Sequence, residues 1–202
     1  MNRFRLTPSV IPNLFTAMNM FSGFFSIITA SQENYTYAAW LIVVAAVFDA
    51  LDGFMARLTK SSSELGVELD SLSDIVSFGA APSFLLYKTY FYQFETIGII
   101  LSSLIMIAGG FRLARFNVQL VGFDKAYFTG LPIPSSALTI VSFVLGFYNN
   151  GFNGPERYFV IPIVFALSLL MVSNIKYDTL SKYAFKNFTS AIHCLRSHSS
   201  KS

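Results

Sequence analysis

The chain has 202 residues, 53% of them apolar and only 12% charged, and a net charge of +3. With a mean hydropathy of +0.55, this excludes a disordered chain and argues against a soluble globule, leaving a membrane protein of one domain. The single Cys194 rules out an internal disulfide, and so small a net charge gives no reason to expect a nucleic-acid partner.

Arg3 and Arg5 precede the first apolar run, about Val10 to Ala30. A signal peptide ending at Thr29-Ala30-Ser31 is the competing reading, but Pro12, Asn13, Thr16 and Asn19 suit a helix with a polar stripe better than a signal core. Five further spans are expected over Tyr37 to Arg57, Asp70 to Phe91, Thr96 to Phe116, Pro132 to Tyr148 and Tyr158 to Asn174, each near the ~20 residues that cross a bilayer. No stretch alternates as a barrel strand does, so the spanning form is helical. The 22 Phe and ten Tyr suit lipid contact and interfacial belts. Residues 58–69 read as a connection rich in hydroxyls, with Lys60 to attract a phosphate. Gly79, Ala80 and Ala81 permit close helix packing. Pro132 and Pro134 fix an extended approach to the fifth span.

The expected fold is therefore an all-α integral membrane bundle of six transmembrane helices. Twelve Lys and Arg residues fall on the side of the termini and two, Lys88 and Arg157, on the other. The positive-inside rule makes both termini cytoplasmic and puts the active site at the cytoplasmic ends of the second and third helices. Residues 1–176 form the membrane domain. Residues 177–202 are a basic and aromatic tail, in which Tyr183, Phe185 and Phe188 with Lys182 and Lys186 suit a surface-lying helix. His193, Cys194 and His198 are too irregularly spaced for a metal site.

Residues 49–74 hold six of the 11 acidic residues, four of them aspartates: Asp49, Asp52, Asp70 and Asp74. A carboxylate near the membrane core costs at least ~2.5–3.5 kcal/mol, and four together repel unless something positive lies between them. Oxygen ligands alone point to Mg²⁺ or Mn²⁺. Asp49 and Asp52 share a helix face that Gly53 and Ala56 continue, so a bulky ligand has room against the backbone there. Asp70 and Asp74 share a face of the next helix. Two antiparallel helices with facing pairs would make a cradle of four carboxylates. Further on, Arg112 and Arg115 share a face at the end of the fourth span. They read either as positive-inside anchors or as a cationic pocket for an anionic substrate group.

The pattern D-x2-D-G-x2-A-R-x8-G-x3-D-x3-D, matched at all eight fixed positions, resembles the signature of the CDP-alcohol phosphotransferases. These are integral membrane enzymes that displace CMP from a CDP-linked lipid or alcohol. Asp70-Ser71-Leu72-x-Asp74-x-Val76-Ser77-Phe78-Gly79, Phe111-Arg112-Leu113-Ala114-Arg115-Phe116-Asn117 and Gly130-Leu131-Pro132-x-Pro134 are together similar to its phosphatidylserine synthase branch. Met171-Val172-Ser173-Asn174 is similar to that branch's last-span ending. The resemblance covers about residues 8 to 177.

It implies transfer of a phosphatidyl group from CDP-diacylglycerol to L-serine, with two divalent ions, Mg²⁺ or Mn²⁺, as cofactors. Asp49, Asp52 and Asp70 would hold one ion. Asp74 would help hold the second and act as general base. Asn13, Thr16, Gly53, Ala56, Arg57, Ser63 and Gly66 would bind CDP-diacylglycerol, with Gly66 letting a loop backbone approach the cytidine. Arg112 or Arg115 would take the serine carboxylate. The resemblance further implies a homodimer among membrane lipids, in the inner or cytoplasmic membrane. Rival readings are a relative using glycerol 3-phosphate or an inositol phosphate, a cation transporter, and a structural membrane protein. The transporter gives Gly53, Ala56, Arg57 and Gly66 no reason for their spacing.

Overall fold

The computed structural model describes residues 10–59, 64–121, 130–148, 155 and 157–175, and among these it is helical apart from short turns. The elements are α1 (Val10–Ser31), α2 (Tyr35–Thr59), α3 (Glu64–Asp74), a π-helical segment (Ile75–Ala80), α4 (Ala81–Thr89), a 3₁₀ turn (Phe91–Phe94), α5 (Glu95–Val121), α6 (Ile133–Phe147) and α7 (Arg157–Val172). α3, the π segment and α4 follow one another without a break, so six helical runs correspond to the six expected spans. Pro12–Ser31, Tyr35–Leu58 and Phe91–Val118 are long and apolar enough to cross a membrane; Ile133–Phe147 and Arg157–Val172 are apolar but shorter.

Two expectations need correction. The third run starts at Glu64 rather than Asp70, and the connection expected over 58–69 is correspondingly shorter. Glu64, Leu65, Glu68 and Leu69 are good helix formers and outweigh the single Gly66. Gly66 thus lies in the first turn of α3 and not in a loop. The third run is also not a uniform α-helix. Pro82, at the second position of α4, has no N–H to give to the carbonyl of residue 78. The wider winding of Ile75–Ala80, closed by the Ala81 N–H donating to Val76 O, absorbs that missing bond just before it.

The runs alternate in direction. At one end the Tyr35 and Tyr148 rings meet edge to face at 4.9 Å, and Tyr90 Oη donates to Arg157 O at 2.9 Å. At the other end Arg115 reaches the last turn of α7, and Gly130 N–H donates to Ile175 O at 3.0 Å. Pro132 is extended (φ −57°, ψ 139°) and caps α6, as the two prolines predict. Gly130, at φ +82°, lies against the Met171 carbonyl, where a side chain would have no room.

The exterior is apolar and the seams are polar. Phe21, Phe24, Trp40, Phe54, Ile97, Ile100, Phe111 and Leu169 are exposed, while Thr16, Asn19, Ser22, Ser26, Ser73 and Ser77 are buried between helices. Such an inside-out distribution suits hydrocarbon surroundings, where apolar faces cost nothing and polar groups must find partners within the protein. Phe78, Ile42, Leu85, Ile105, Ile140 and Met171 fill the centre, with Ala38, Ala45, Ala108 and Ala137 where helices approach closely.

One close approach sets up the site. A Cβ on Gly23 of α1 would overlap the Ser77 side chain and backbone of the π segment. Gly23→Leu is expected to push these elements apart and destabilise the protein by ~1–3 kcal/mol. Gly146→Ala, which meets nothing within 4 Å, should be neutral or stabilise by up to ~1 kcal/mol. Thermal unfolding of the two variants in one detergent checks both.

Candidate active site

The four aspartates come from two neighbouring elements. Asp49 and Asp52 lie in the second half of α2, Asp70 and Asp74 in the second half of α3. Asp49, Asp70 and Asp74 each offer a carboxylate oxygen, and these oxygens lie within 4.8 Å of one another. Asp49 and Asp74 are within hydrogen-bonding reach. Asp52 stands beside this trio, only 6% exposed, and interacts electrostatically with Asp49 and Asp70. The structure thus brings all four together as three plus one.

α1 holds the arrangement in place. Thr16 Oγ1 lies 3.1 Å from Asp52 Oδ2 and 3.2 Å from Pro12 O, so its one proton serves either. Asn19 Nδ2 donates to Asp74 Oδ1 at 3.5 Å. The backbone of the same two residues anchors the facing element: Ser73 Oγ donates to Thr16 O at 3.0 Å and Ser77 Oγ to Asn19 O at 2.8 Å. Asn19, Ser73 and Ser77 were not among the expected site residues. The signal for Asn19 was its place three residues after Thr16 and six after Asn13, in an otherwise apolar run. Asn13 is half-buried one turn before Thr16.

Beside the carboxylates the wall is open. A Cβ on Gly53 would meet nothing nearer than Arg57 Nη1 at 4.0 Å, so the Arg57 side chain folds back over the glycine. Ala56 is half-buried on the same stripe. Ser63 lies outside the described residues, as do Lys60 and the tail 177–202.

The two arginines of α5 part company. Arg112 is half-buried, interacts electrostatically with Asp74, and its Nε is buried without a hydrogen-bond partner among the described residues. Arg115 instead binds the end of α7, donating from Nη1 to Val172 O and Asn174 Oδ1 at 3.0 Å each and from Nη2 to Ser173 O at 3.2 Å. A cation on terminal carbonyls is a helix C-cap. Two residues on, Asn117 joins α5 to α3, donating from Nδ2 to Ser71 Oγ at 3.0 Å and to Glu68 Oε2 at 3.4 Å.

The donor set fits a divalent cation of the Mg²⁺ or Mn²⁺ type. Its ligands are oxygens only, its carboxylates are too close to remain ionised together without a counter-charge, and Asp70 Oδ1 is buried with no hydrogen-bond partner among the described residues. An orphaned buried acceptor costs ~1–3 kcal/mol until something satisfies it.

Residues 9–175 match the sequence profile of the CDP-alcohol phosphatidyltransferases, over most of the chain. The chain belongs to this family. Among its relatives is a CDP-diacylglycerol–serine O-phosphatidyltransferase of Helicobacter pylori, 43% identical over 175 residues, covering 86% of this chain and 73% of the relative. An archaetidylserine synthase of Methanothermobacter thermautotrophicus is 40% identical, covering 88% and 73%. A CDP-diacylglycerol–serine O-phosphatidyltransferase of Bacillus subtilis is 34% identical, covering 89% and 96%. Family membership and the three long apolar helices make this an integral membrane protein.

Ligation stabilises only the folded chain, by about 2.7 kcal/mol at a hundred times the dissociation constant. Mn²⁺ is therefore expected to raise the unfolding temperature of the detergent-solubilised protein, and Asp70→Asn to remove most of that rise. An equal shift in the variant places the ion elsewhere.

Proposed function

We propose that this protein transfers the phosphatidyl group of CDP-diacylglycerol to the hydroxyl of L-serine, forming phosphatidylserine and CMP. The supporting observation is the convergence of Asp49, Asp70 and Asp74 in a chain whose relatives, at 34–43% identity, are named for serine as acceptor. Residues 1–176 form the catalytic membrane domain and 177–202 a tail. The aspartate end faces the cytoplasm in this reading, which the distribution of Lys and Arg supports. The homodimer implied by the resemblance belongs to the same reading.

Asp49, Asp52 and Asp70 hold one divalent ion and Asp74 shares in a second. Bound there, the ions supply charge neutralisation at the pyrophosphate and at the departing CMP oxygen. Gly53 and Ala56 leave room for the nucleotide against α2, and Arg57, folded over Gly53, pairs with its phosphate. Asn13, Thr16, Ser63 and Gly66 complete the CDP-diacylglycerol contacts, Gly66 now from the first turn of α3. Thr16 and Asn19 orient Asp52 and Asp74 by their hydrogen bonds.

Asp74 accepts the serine hydroxyl proton. The oxygen attacks the phosphorus that carries diacylglycerol, the bond to CMP breaks, and CMP leaves with the electron pair. A carboxylate can do this for a positioned hydroxyl, because most of the rate comes from alignment and electrostatics. Of the two arginines, Arg112 is the one whose surroundings favour binding the serine carboxylate. Its Nε lacks a hydrogen-bond partner among the described residues, whereas Arg115 is occupied at α7.

Purified protein with CDP-diacylglycerol and Mn²⁺ is expected to release CMP with L-serine and not with glycerol 3-phosphate or inositol phosphate. Release with either phosphorylated acceptor alone would overturn the acceptor assignment. Asp74→Asn should abolish turnover while CDP-diacylglycerol binding persists. Arg112→Ala should raise KM for serine at least about tenfold, the worth of a charged hydrogen bond, with KM for CDP-diacylglycerol little changed. Arg115→Ala should instead lower the unfolding temperature. Equal KM effects on both substrates would give Arg112 a phosphate or structural role.

A further inference from the structure

The end of the bundle remote from the aspartates carries a second concavity. Glu33, Tyr35, Tyr87, Lys88, Tyr92 and Tyr148 line a cavity of about 510 Å³. An adjoining groove shares Glu33, Tyr35 and Tyr148 with it and continues over Tyr37 and Trp40. None of these residues has a part in the transfer reaction described above.

Glu33 is held there by an unfavourable local choice. The α1–α2 turn closes with Asn34 N–H donating to Thr29 O at 3.1 Å and Glu33 N–H to Ala30 O at 3.2 Å. This pairing puts the donor of the inner bond in the left-handed region, and Glu33 has φ 67°. Glycine fills such a position without penalty, while a residue with a Cβ costs roughly 1–2 kcal/mol. That cost places a carboxylate on the cavity wall, in electrostatic range of the Tyr35 hydroxyl. Lys88, in the last turn of α4, is half-buried and lines the same cavity. Among the described residues neither Glu33 nor Lys88 has an ion-pair partner.

The cavity also lies at a defined depth. The span Pro12–Ser31 ends at this face, and Tyr35–Leu58 and Phe91–Val118 begin at it. It therefore sits at the hydrocarbon boundary, where lipid headgroups lie and Tyr and Trp concentrate. Tyr37 and Trp40 are both more than half exposed along the groove that leads away from it.

We propose that this cavity binds the headgroup of an ammonium-bearing phospholipid from the leaflet opposite the aspartate site. Glu33 and the faces of Tyr35 and Tyr148 take the ammonium. Lys88 and the tyrosine hydroxyls take the phosphate, and the acyl chains follow Tyr37 and Trp40 into the bilayer. A phosphate headgroup without an ammonium would leave Glu33 opposed to a like charge. The assignment is independent of the transferase reading, because it concerns residues at the other end of the bundle.

The full chain in detergent, offered dioleoylphosphatidylethanolamine or dioleoylphosphatidylglycerol, tests this by native mass spectrometry. The ethanolamine lipid is expected to be retained at least about tenfold better, and Glu33→Gln or Lys88→Gln to weaken its retention about tenfold, the worth of one charge-assisted hydrogen bond. CMP release by both variants should stay within about twofold of the parent, since neither residue touches the transfer site. Glu33→Gly relieves the backbone while removing the carboxylate, so it should unfold at a higher temperature yet lose the lipid. Equal retention of the two lipids, or a Glu33→Gly variant that keeps the ethanolamine lipid, overturns the proposal. Displacement by millimolar phosphoethanolamine would assign the cavity to a soluble zwitterion instead and overturn the lipid assignment.

Discussion

The structure depends on the polar seam along α1. Thr16 and Asn19 each use the side chain toward a carboxylate and the backbone carbonyl toward a serine of the facing element. Four hydrogen bonds thereby fix the distance and phase of two acid-bearing helices whose charges would otherwise drive them apart. Gly23, a turn further on, lets the backbones come close enough for those bonds to form. In hydrocarbon there is no water to take over a broken bond, so each of the four matters more than it would at a wet surface.

The same logic orders the rest of the bundle. Hydrophobic burial cannot select which faces meet when the surroundings are as apolar as the side chains. Selection falls instead to small residues and to polar contacts between helices. Arg115 at the end of α7 and Asn117 with Ser71 serve this purpose at one end of the bundle, and Tyr90 with Arg157 O at the other. Glycine and alanine supply the close approaches between them.

Much of this was legible in the sequence. Spacings of three and four placed each pair of aspartates on one helix face, and the apolar runs located six helical segments to within about two residues, except at the start of the third and the end of the fourth, which runs on to Val121. What stayed hidden depends on distance across the bundle. Nothing local distinguishes Arg112 from Arg115, three residues apart on one helix. Only the position of α7 shows that one caps a helix end while the other turns toward Asp74. The role of Asn19 was hidden for the same reason, since its partner is 55 residues away. The three-plus-one grouping of the aspartates depends on how α1 reaches Asp52. The left-handed backbone of Glu33 has no local signature either, because it is set by the two helices that the residue joins.

The π segment after Asp74 has a consequence for how the third run tolerates change. Its N-terminal half takes its rotational phase from the acids it must present to α2. Its C-terminal half takes its phase from packing chiefly against α5 and α1. Uniform winding would impose a single phase on both, and one residue more or fewer turns everything beyond it by about 100°. The wide turn works as an adapter between two registers. A deletion within it would leave Asp70 and Asp74 in place yet rotate Leu85 and Leu86 out of the core.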